Sequence, residues 1–518
     1  MDRVVIGADI GTTSAKAVAF APDGSALGGA ERLYELAASA PGRAEQDPEV
    51  VVRAALDVIG EAAGKARGRG AQIAGLSFSG AMHGLLGLDG EDRPLTPLVT
   101  WADGRAAAEA ERLRELPGAL ALHGRTGTPL HPMSPLPKLV WFAEREPALF
   151  ARVRRWVGIK ELVLARLTGE WVVDHSTASA AGLLDQARLD WDVEALAIAG
   201  IDPGRLPRLV PATQVLALTA PAAAALGLDP GLPVVAGATD GPLANVGVGA
   251  VRPGVAACSI GTSGALRVMV ESPGIDPLGR VFCYALTPGR WVVGGAVNNG
   301  GVVLRWAGDA LAPDLGPGSE EELLDLAAGV GPGSGGLIML PYLLSERAPH
   351  WSAIPRGAYV GLTRHHGRAH LVRAALEGVC LQLALVLHSM RAAGNEVREI
   401  RATGGFARSP LWRQLLTDVL GMEVGFTAGH QGSSFGAALL GMQALGLVES
   451  VDVAADLVRV DEVLRPEPAA EATYQAILPV FASLFEALTP AFLALRRLDP
   501  LLAPPDPEPL SPASEPTA

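Results

Sequence analysis

Two short turns carry the residue types that bind phosphate. Gly11-Thr12-Thr13 follows the apolar run 4–10, and Gly261-Thr262-Ser263 follows the apolar run 255–260. In such a turn the backbone amides and hydroxyls converge, and glycine permits a close approach by the phosphate. One turn alone would more simply be a tight hairpin. Two of them, each leading into a second apolar strand (Lys16–Phe20 and Leu266–Val270), favour two related domains that face each other across a cleft.

Two aspartates lie where phosphoryl-transfer chemistry would need them. Asp9 stands just before the first turn, where a carboxylate would repel phosphate but could hold Mg²⁺ or its waters. Asp240 stands between glycines after the apolar run 232–236. Loops at strand ends carry the chemistry of open α/β folds, and a carboxylate there can orient an alcohol and accept its proton. Taken alone, the Asp240 segment also fits a simple turn before a helix.

The remaining pattern alternates strands with helices and therefore predicts an α/β protein. Asp47 followed by proline is a typical helix start and predicts a helix over 48–66. Further helices are expected at 106–115, 371–392, 410–420 and 433–445. A helix or helix pair is expected at 474–495, packing back on the body. The proline-rich segment 499–518 predicts a disordered tail.

Composition excludes several classes of protein. The 518 residues include 42 Lys and Arg against 55 Asp and Glu, a net charge of −13, which argues against nucleic acid as a partner. No apolar run was expected to reach the length of a membrane span, and the first residues do not resemble a secretory signal. Three scattered cysteines do not form a disulfide framework. We expect a cytoplasmic protein with no membrane or nucleic-acid partner.

The order of the motifs resembles the actin-like (ribonuclease H-like) ATPase fold, and within it the FGGY carbohydrate kinases. The segments that carry the resemblance are GADIGTTSAKAVAF, GATDGPLANVGVGA, SIGTSGALR, ATGGFARSPLWRQLLTD and GSSFGAALLG, together with MSPLPKLVW at 133–141 and GAYVGL at 357–362. The resemblance runs from about residue 4 to 495. It implies an N-terminal domain at 1–247, a C-terminal domain at 253–446, C-terminal helices at 447–498 and the tail at 499–518.

The resemblance also implies roles for single residues. Asp240 is the expected catalytic base, and Asp9 with Asp240 is expected near Mg²⁺. Phosphate contacts are expected from Gly11, Thr12, Thr13, Gly261, Thr262 and Ser263, and nucleotide contacts from Gly404, Gly405 and Gln414. The implied co-substrate is ATP with Mg²⁺, and a homodimer is common among such kinases.

The sugar side is expected at Met82, His83, Trp101 and Asp103, with Asp240 and Arg347. A polyol needs directional donors and acceptors and an aromatic wall, which these side chains offer. The wording of several motifs resembles kinases of D-gluconate, whose carboxylate requires Arg, Lys or His. His131, Lys138, Lys160 and Arg347 are candidates between which the sequence does not choose.

Two functional alternatives stay open at this stage, and a third is set aside. Gly84 after Met-His is typical of xylulose kinases, so a ketose or related polyol remains an alternative substrate. A sensor of the same fold that binds ATP or sugar without catalysis is a second alternative, although it would be expected to lose Asp9 or Asp240. The segment Gly432–Gly436 matches the hydrolase GxSxG motif, but no histidine follows it as that mechanism expects.

Overall fold

The computed structural model describes residues 3–40, 42–316, 318–427 and 432–498. Within them lie two large mixed sheets, of six and seven strands, each covered by helices. The expected α/β architecture is therefore confirmed. The tail expected at 499–518 lies outside the described residues.

The first sheet belongs to the N-terminal half of the chain. Its strands, in spatial order, are Val215–Ala217, Pro233–Thr239, Gln72–Gly80, Arg3–Ile10, Ser14–Phe20 and Ala26–Leu33. The middle three are parallel, and the last three form an antiparallel meander. The central strands are buried on both faces, which explains their unbroken apolar sequence.

The second sheet repeats this order with one added strand. It runs Val460–Leu464, Val424–Thr427, Glu399–Thr403, Val255–Ile260, Gly264–Val270, Arg290–Val297 and then Phe282–Thr287. Val255–Ile260 is parallel to Glu399–Thr403 and antiparallel to Gly264–Val270, as Arg3–Ile10 is to its own two neighbours. The internal repeat seen in two hairpins thus extends over both sheets.

The helices follow the sequence expectations closely. Pro48–Gly68 begins after Asp47, whose side chain accepts a hydrogen bond from the amide of Glu49, as an N-cap should. The other expected helices are Ala107–Glu115, Arg368–Ala392, Pro410–Leu420 and Gly432–Ala444. Pro468–Leu498 is one continuous helix, where the sequence left one or two open.

Further elements complete the two halves. Helices are also present at Ala119–Thr126, Pro135–Arg145, Pro147–Arg152, Ile159–Thr168, His175–Ala180, Val193–Ala199, Ala220–Leu226, Asp240–Gly247, Gly301–Leu311, Glu320–Ala328 and Ala454–Leu457. Short strand pairs join Glu45–Gln46 to Leu98–Val99, Leu86–Leu88 to Arg155–Val157, Val172–Asp174 to Arg208–Val210, Leu184–Asp185 to Asp190–Trp191, and Ile338–Leu340 to Ala358–Val360.

The helix Gly432–Ala444 comes from the C-terminal half but packs on the first sheet. It approaches so closely that a Cβ on Gly7 would lie 1.9 Å from the carbonyl oxygen of Ser434. Against the helix Asp240–Gly247, a Cβ on Gly436 would lie 2.1 Å from the carbonyl oxygen of Leu243. The small residues of the GSSFG segment therefore serve close helix packing rather than a hydrolase nucleophile.

Two helices have the length and apolar composition of a membrane span, which the sequence analysis did not expect. Arg368–Ala392 is mostly buried and forms the core of the second half. Pro468–Leu498 buries Tyr474, Phe481 and Phe492 against the same core, but only 11% of its apolar window is fully buried. Length and composition alone do not separate a core helix from a span. The expectation concerned unbroken apolar runs, whereas both helices reach the length of a span with polar residues interspersed among the apolar ones.

Candidate active site

The first phosphate turn is held by side chains from three other segments. Within the turn, the Gly11 amide donates to the carbonyl of Ser14 at 2.9 Å. The contacts from outside are Tyr34 Oη to the Gly11 carbonyl at 2.6 Å, Gln46 Nε2 to the Thr12 carbonyl at 2.7 Å, and Trp101 Nε1 to Thr12 Oγ1 at 2.9 Å. Thr13 is exposed at the tip. The turn is thereby fixed before any ligand arrives.

The second turn is held by a helix start. The amide of Gly301 donates to the Gly261 carbonyl at 2.7 Å, and the amides of Gly300 and Val302 donate to the Thr262 carbonyl at 3.2 Å. These donors open the helix Gly301–Leu311, whose first amides have no partner within the helix.

A large cavity of about 750 Å³ opens beside the second turn. Gly261, Thr262 and Gly405 are among the residues that line it. Gly404 adopts φ +121°, and a Cβ there would lie 2.3 Å from the carbonyl oxygen of Ile260, so the chain needs glycine at this point. The volume suits a nucleoside.

Gln414 does not line this cavity. Its Nε2 donates to Asp418 Oδ1 at 2.7 Å and to the carbonyl of Arg465 at 2.9 Å. Gln414 therefore braces the helix Pro410–Leu420 against the segment after Val460–Leu464, and the geometry does not support the expected nucleotide contact.

A second cavity of about 290 Å³ lies between the two sheets. It is lined by Asp9, Met82, His83, Trp101, Asp240, Gly241, Ala244, Ser259, Ser263, Gly264, Ala265, Arg267, Phe282, Ala296, Arg347 and Ser433. Most of the residues expected at the sugar and the metal are thus brought together. Ser263, from the second turn, contributes to this cavity rather than to the larger one.

Asp240 is the first residue of the helix Asp240–Gly247, directly after the strand Pro233–Thr239. Its Oδ1 accepts a hydrogen bond from the amide of Gly241 at 2.8 Å. Burial raises the pKa of Asp240 to about 6, with a further contribution from the charge of Asp9. The carboxyl group is therefore ionised at neutral pH but basic enough to accept a proton.

Asp9 is held by two hydroxyl groups. Ser79 donates to Oδ1 at 2.6 Å, and Ser433 donates to Oδ2 at 2.7 Å. Burial raises the pKa of Asp9, and the two hydrogen bonds oppose that rise. The two serines were not predicted, although Ser433 lies in the segment GSSFGAALLG that the sequence analysis quotes.

The aspartate pair is suited to Mg²⁺. Among the described residues there is no group of three or more His, Cys, Asp and Glu side chains that could enclose a metal. Mg²⁺ usually binds one or two carboxylates, several waters and substrate phosphates rather than an all-protein cage. Asp9 and Asp240 are close enough that the charge of one raises the pKa of the other. They fit that mode of binding, with Asp9 beside the first turn.

His83 and Trp101 form one wall of the smaller cavity. His83 Nδ1 donates to the carbonyl of Ala180 at 2.7 Å, and its Nε2 lies 3.5 Å from Tyr284 Oη. Burial lowers the pKa of His83 to about 3, so the ring is neutral. The Trp101 ring faces Arg347, with the guanidinium carbon 4.8 Å from its centroid.

Arg347 is the one of the four basic candidates that lines this cavity. It is buried, its Nη2 donates to the carbonyl of Val297 at 3.1 Å, and its Nε has no partner among the described residues. Burial lowers its pKa to about 10, which leaves it charged at neutral pH. Glu346 accepts a hydrogen bond from the Arg347 amide at 2.7 Å and also binds Asn298 and Asn299. These hydrogen bonds hold the backbone at Arg347 in place.

The other three candidates have structural positions. Lys138 Nζ donates to the carbonyls of His83, Thr100 and Met133 at 2.7–2.8 Å, and burial lowers its pKa to about 7. Lys160 forms a buried ion pair with Asp174. His131 accepts from the amide of Met133 at 3.2 Å. Lys138 thus holds together the loops that carry His83 and Trp101.

Asp103 also lies outside the cavity lining. Both its carboxylate oxygens bind Arg105 at 2.7 Å, and Oδ2 accepts from the amide of Ala44 at 2.8 Å. Its role in the structure is to fix the loop that follows Trp101, so the geometry does not support the expected direct contact with the sugar.

Arg267 lines the cavity and was missed. It lies two residues after Ala265 on the strand Gly264–Val270, and strand residues two apart share a face. The period-two pattern that follows the second turn could have identified it.

Two hairpin turns that face across a cleft, with an aspartate at each of two strand ends between them, define a phosphotransferase of the actin-like fold. The chain matches the FGGY family of carbohydrate kinases, its N-terminal domain over residues 4–247 and its C-terminal domain over residues 256–445.

Relatives that match over nearly their full length support the same family. The chain is 40% identical to a gluconokinase of Bacillus subtilis, over 94% of this chain and 96% of the relative. The crystal structure of gluconate kinase from Lactobacillus acidophilus superposes with a TM-score of 0.91 at 34% identity, covering 96% of this chain and all of that one. The ligand-bound xylulose kinase from the same organism gives 0.90 at 35% identity over 95% of this chain and all of that one. The protein belongs to the FGGY family of carbohydrate kinases.

Proposed function

We propose that this kinase transfers the γ-phosphoryl group of ATP to the 6-hydroxyl of D-gluconate. The observation that carries the proposal is the 290 Å³ cavity, which holds Asp240 and the side chains of two arginines in one space. Gluconate offers a hydroxyl group to Asp240 and a carboxylate to the arginines. The 40% identity to a gluconokinase supports the same substrate.

In the proposed mechanism Asp240 orients the 6-hydroxyl and accepts its proton. The 6-oxygen forms a bond to the γ-phosphorus while the bond from that phosphorus to the bridging oxygen of ADP breaks. The proton passes to the Asp240 carboxylate and later to solvent. Because the transition state is largely dissociative, positioning and charge neutralisation supply most of the rate.

ATP would lie with its phosphates between the two turns. Gly11, Thr12 and Thr13 would approach from one side, Gly261, Thr262 and Ser263 from the other, and Gly404 and Gly405 would border the nucleoside in the larger cavity. Mg²⁺ near Asp9 would neutralise charge on the phosphates. Met82, His83, Trp101 and Arg347 would hold the sugar, with neutral His83 fixed by its bond to Ala180.

A second candidate substrate is D-xylulose. It is favoured by Gly84 after Met-His and by a xylulose kinase structure that superposes as well as the gluconate kinase does. Against it, Gly84 does not line the 290 Å³ cavity but a neighbouring one of about 50 Å³.

We also propose a cytoplasmic homodimer that acts on small molecules and binds neither nucleic acid nor membrane. Light scattering and cell fractionation test these points.

The test is ADP release from Mg·ATP with D-gluconate, D-xylulose, L-ribulose, glycerol and no sugar in parallel. We expect strong turnover with gluconate alone, and loss of about 10²–10⁴-fold in kcat for Asp240→Asn. The exposed Asp57→Asn in the helix Pro48–Gly68 is the matched control and should be unchanged. Turnover with xylulose alone would contradict the gluconate proposal, and silence with every sugar would favour a sensor.

A further inference from the structure

The 290 Å³ cavity is the proposed sugar site and is called the sugar cavity below. Its floor is formed by two rows of residues that run across the second sheet. One row pairs Ser259 with Ala265 and Ala265 with Ala296. The next pairs Ala257 with Arg267, Arg267 with Gly294, and Gly294 with Phe282. Directly paired residues project to the same face. Within these two described rows Arg267 is the only charged residue, and its neighbours are mostly small.

Gly294 lets its strand lie close to the backbone of Leu266 and Arg267. A Cβ there would lie 2.2 Å from the carbonyl oxygen of Leu266, 2.8 Å from Arg267 Cα and 3.0 Å from Arg267 Cγ. At the other end of the side chain, a Cβ on Gly241 would lie 3.5 Å from Arg267 Nε, an ordinary contact distance. The Arg267 side chain therefore passes Gly294, and its guanidinium lies beside the helix start that carries Asp240.

Arg267 makes no ion pair and no side-chain hydrogen bond with the described residues. The Asp240 carboxylate acts on it through space, without a hydrogen bond. Arg347, by contrast, is bound to the Val297 carbonyl, stacked on Trp101 and adjacent to the buried Glu346. A guanidinium that is partly removed from water without a hydrogen-bonded anion is costly, and a ligand carboxylate would satisfy it with two parallel hydrogen bonds.

The place of Arg267 also separates it from the phosphates. Arg267 is four positions after Ser263 of the second turn, which corresponds to about 13 Å along a strand. An anion at Arg267 would therefore be the far end of the substrate rather than a phosphate of ATP.

We propose that Arg267 binds the carboxylate of the substrate and is the residue that selects a sugar acid over a neutral sugar. The proposal rests on the proposed function and deepens it. Arg347 would support the same end of the substrate through its unpartnered Nε, while Asp240 receives the hydroxyl end. The substrate carboxylate then fits both the two-pronged guanidinium of Arg267 and the glycine-lined floor of the cavity.

The test uses the full-length Arg267→Met and Arg267→Lys variants with Mg·ATP and D-gluconate. For Arg267→Met we expect KM to rise roughly 10- to 100-fold with kcat nearly unchanged, since bonds to charged groups contribute to binding in both ground and transition states. Arg267→Lys keeps the charge but loses the two-pronged guanidinium, so its KM should lie between those of wild type and Arg267→Met. Calorimetric titration with D-gluconate in the absence of ATP should show the same loss of affinity.

The control is Arg401→Met, which removes a paired, largely buried arginine from the strand Glu399–Thr403 of the same sheet, outside the cavity. It should leave KM for gluconate unchanged. D-Glucitol, which has a hydroxymethyl group in place of the carboxylate, should bind wild type and Arg267→Met equally.

The outcomes separate the two proposals. If wild type phosphorylates gluconate but Arg267→Met lowers kcat at unchanged KM, Arg267 acts on Asp240 and the carboxylate assignment is overturned alone. Unchanged gluconate affinity in Arg267→Met would overturn it equally. If wild type phosphorylates only a neutral ketose, the proposed function fails, and this inference fails with it.

Discussion

The two phosphate turns occupy equivalent places in the two sheets, but they differ by one residue in length and are held in different ways. In each, a glycine amide closes the turn, from Gly11 to Ser14 at 2.9 Å and from Gly261 to Ser263 at 2.8 Å. The first turn is then fastened by side chains of Tyr34, Gln46 and Trp101. The second is fastened by backbone amides at the start of one helix.

Because of this difference, we expect the two turns to respond differently to substitution of the side chains around them. Trp101 both lines the sugar cavity and donates to Thr12, so the first turn is mechanically linked to the sugar side. The second turn depends on backbone donors, which substitution of side chains does not remove. We therefore expect the first turn to respond to a ligand in this cavity and the second turn to respond less.

The acidic position before each turn extends the comparison. Asp9 in the first half corresponds to Ser259 in the second, two residues before the glycine of each turn. Both side chains line the 290 Å³ cavity, but only Asp9 is held by two hydroxyl donors. One half of the repeat has a carboxylate at this position, proposed to hold Mg²⁺, and the other has a neutral residue.

The largest expected effect breaks this asymmetry. Asp9→Asn should lower kcat by about 10²–10³-fold, because it removes the charge proposed to hold Mg²⁺ near the transferring group. Ser259→Ala, at the equivalent position, should change kcat far less. Steady-state kinetics with gluconate over a range of Mg²⁺ concentrations measures both. Equal losses in the two variants would contradict the assignment of metal binding to Asp9.

The sequence predicted the repeat because glycine, threonine and apolar strands are local signals. Asp9 and the two turns carry the same local signals, whereas the role of Asp240 was predicted from the resemblance to the FGGY kinases. The sequence did not predict that Asp103 would bind Arg105, that Gln414 would bind Asp418, or that Lys138 would take three carbonyls, since these partners come from distant segments. It missed Arg267 because the glycine that its side chain passes, Gly294, is on another strand.

A smaller effect sharpens the comparison through pH. Asp240 must be ionised to accept a proton, so kcat/KM should fall below an apparent pKa of about 6, by roughly tenfold per pH unit. The negative charge of Asp9 contributes to that raised pKa. Asp9→Asn should therefore move the acid limb to lower pH, even though its overall rate is low. Ser259→Ala should leave the limb in place. A limb that stays near 6 in Asp9→Asn would show that burial alone sets the pKa of Asp240.

The smallest expected effect tests the link from the sugar side to the first turn. Trp101→Phe keeps an aromatic face on Arg347 but loses the 2.9 Å hydrogen bond to Thr12 Oγ1. Losing one such bond should lower kcat/KM for ATP by about 2- to 10-fold. It should also raise ATP hydrolysis in the absence of sugar, because the turn is less firmly held.

A double-mutant cycle isolates that hydrogen bond from other consequences of the change. Thr12→Val removes the acceptor hydroxyl, so Trp101→Phe combined with Thr12→Val should be no worse than the more impaired of the two single variants. If the two losses instead add, the effects arise independently and Trp101 acts on the sugar alone. The first turn would then be as isolated from the sugar as the second, and the difference between the two turns would be structural without being functional.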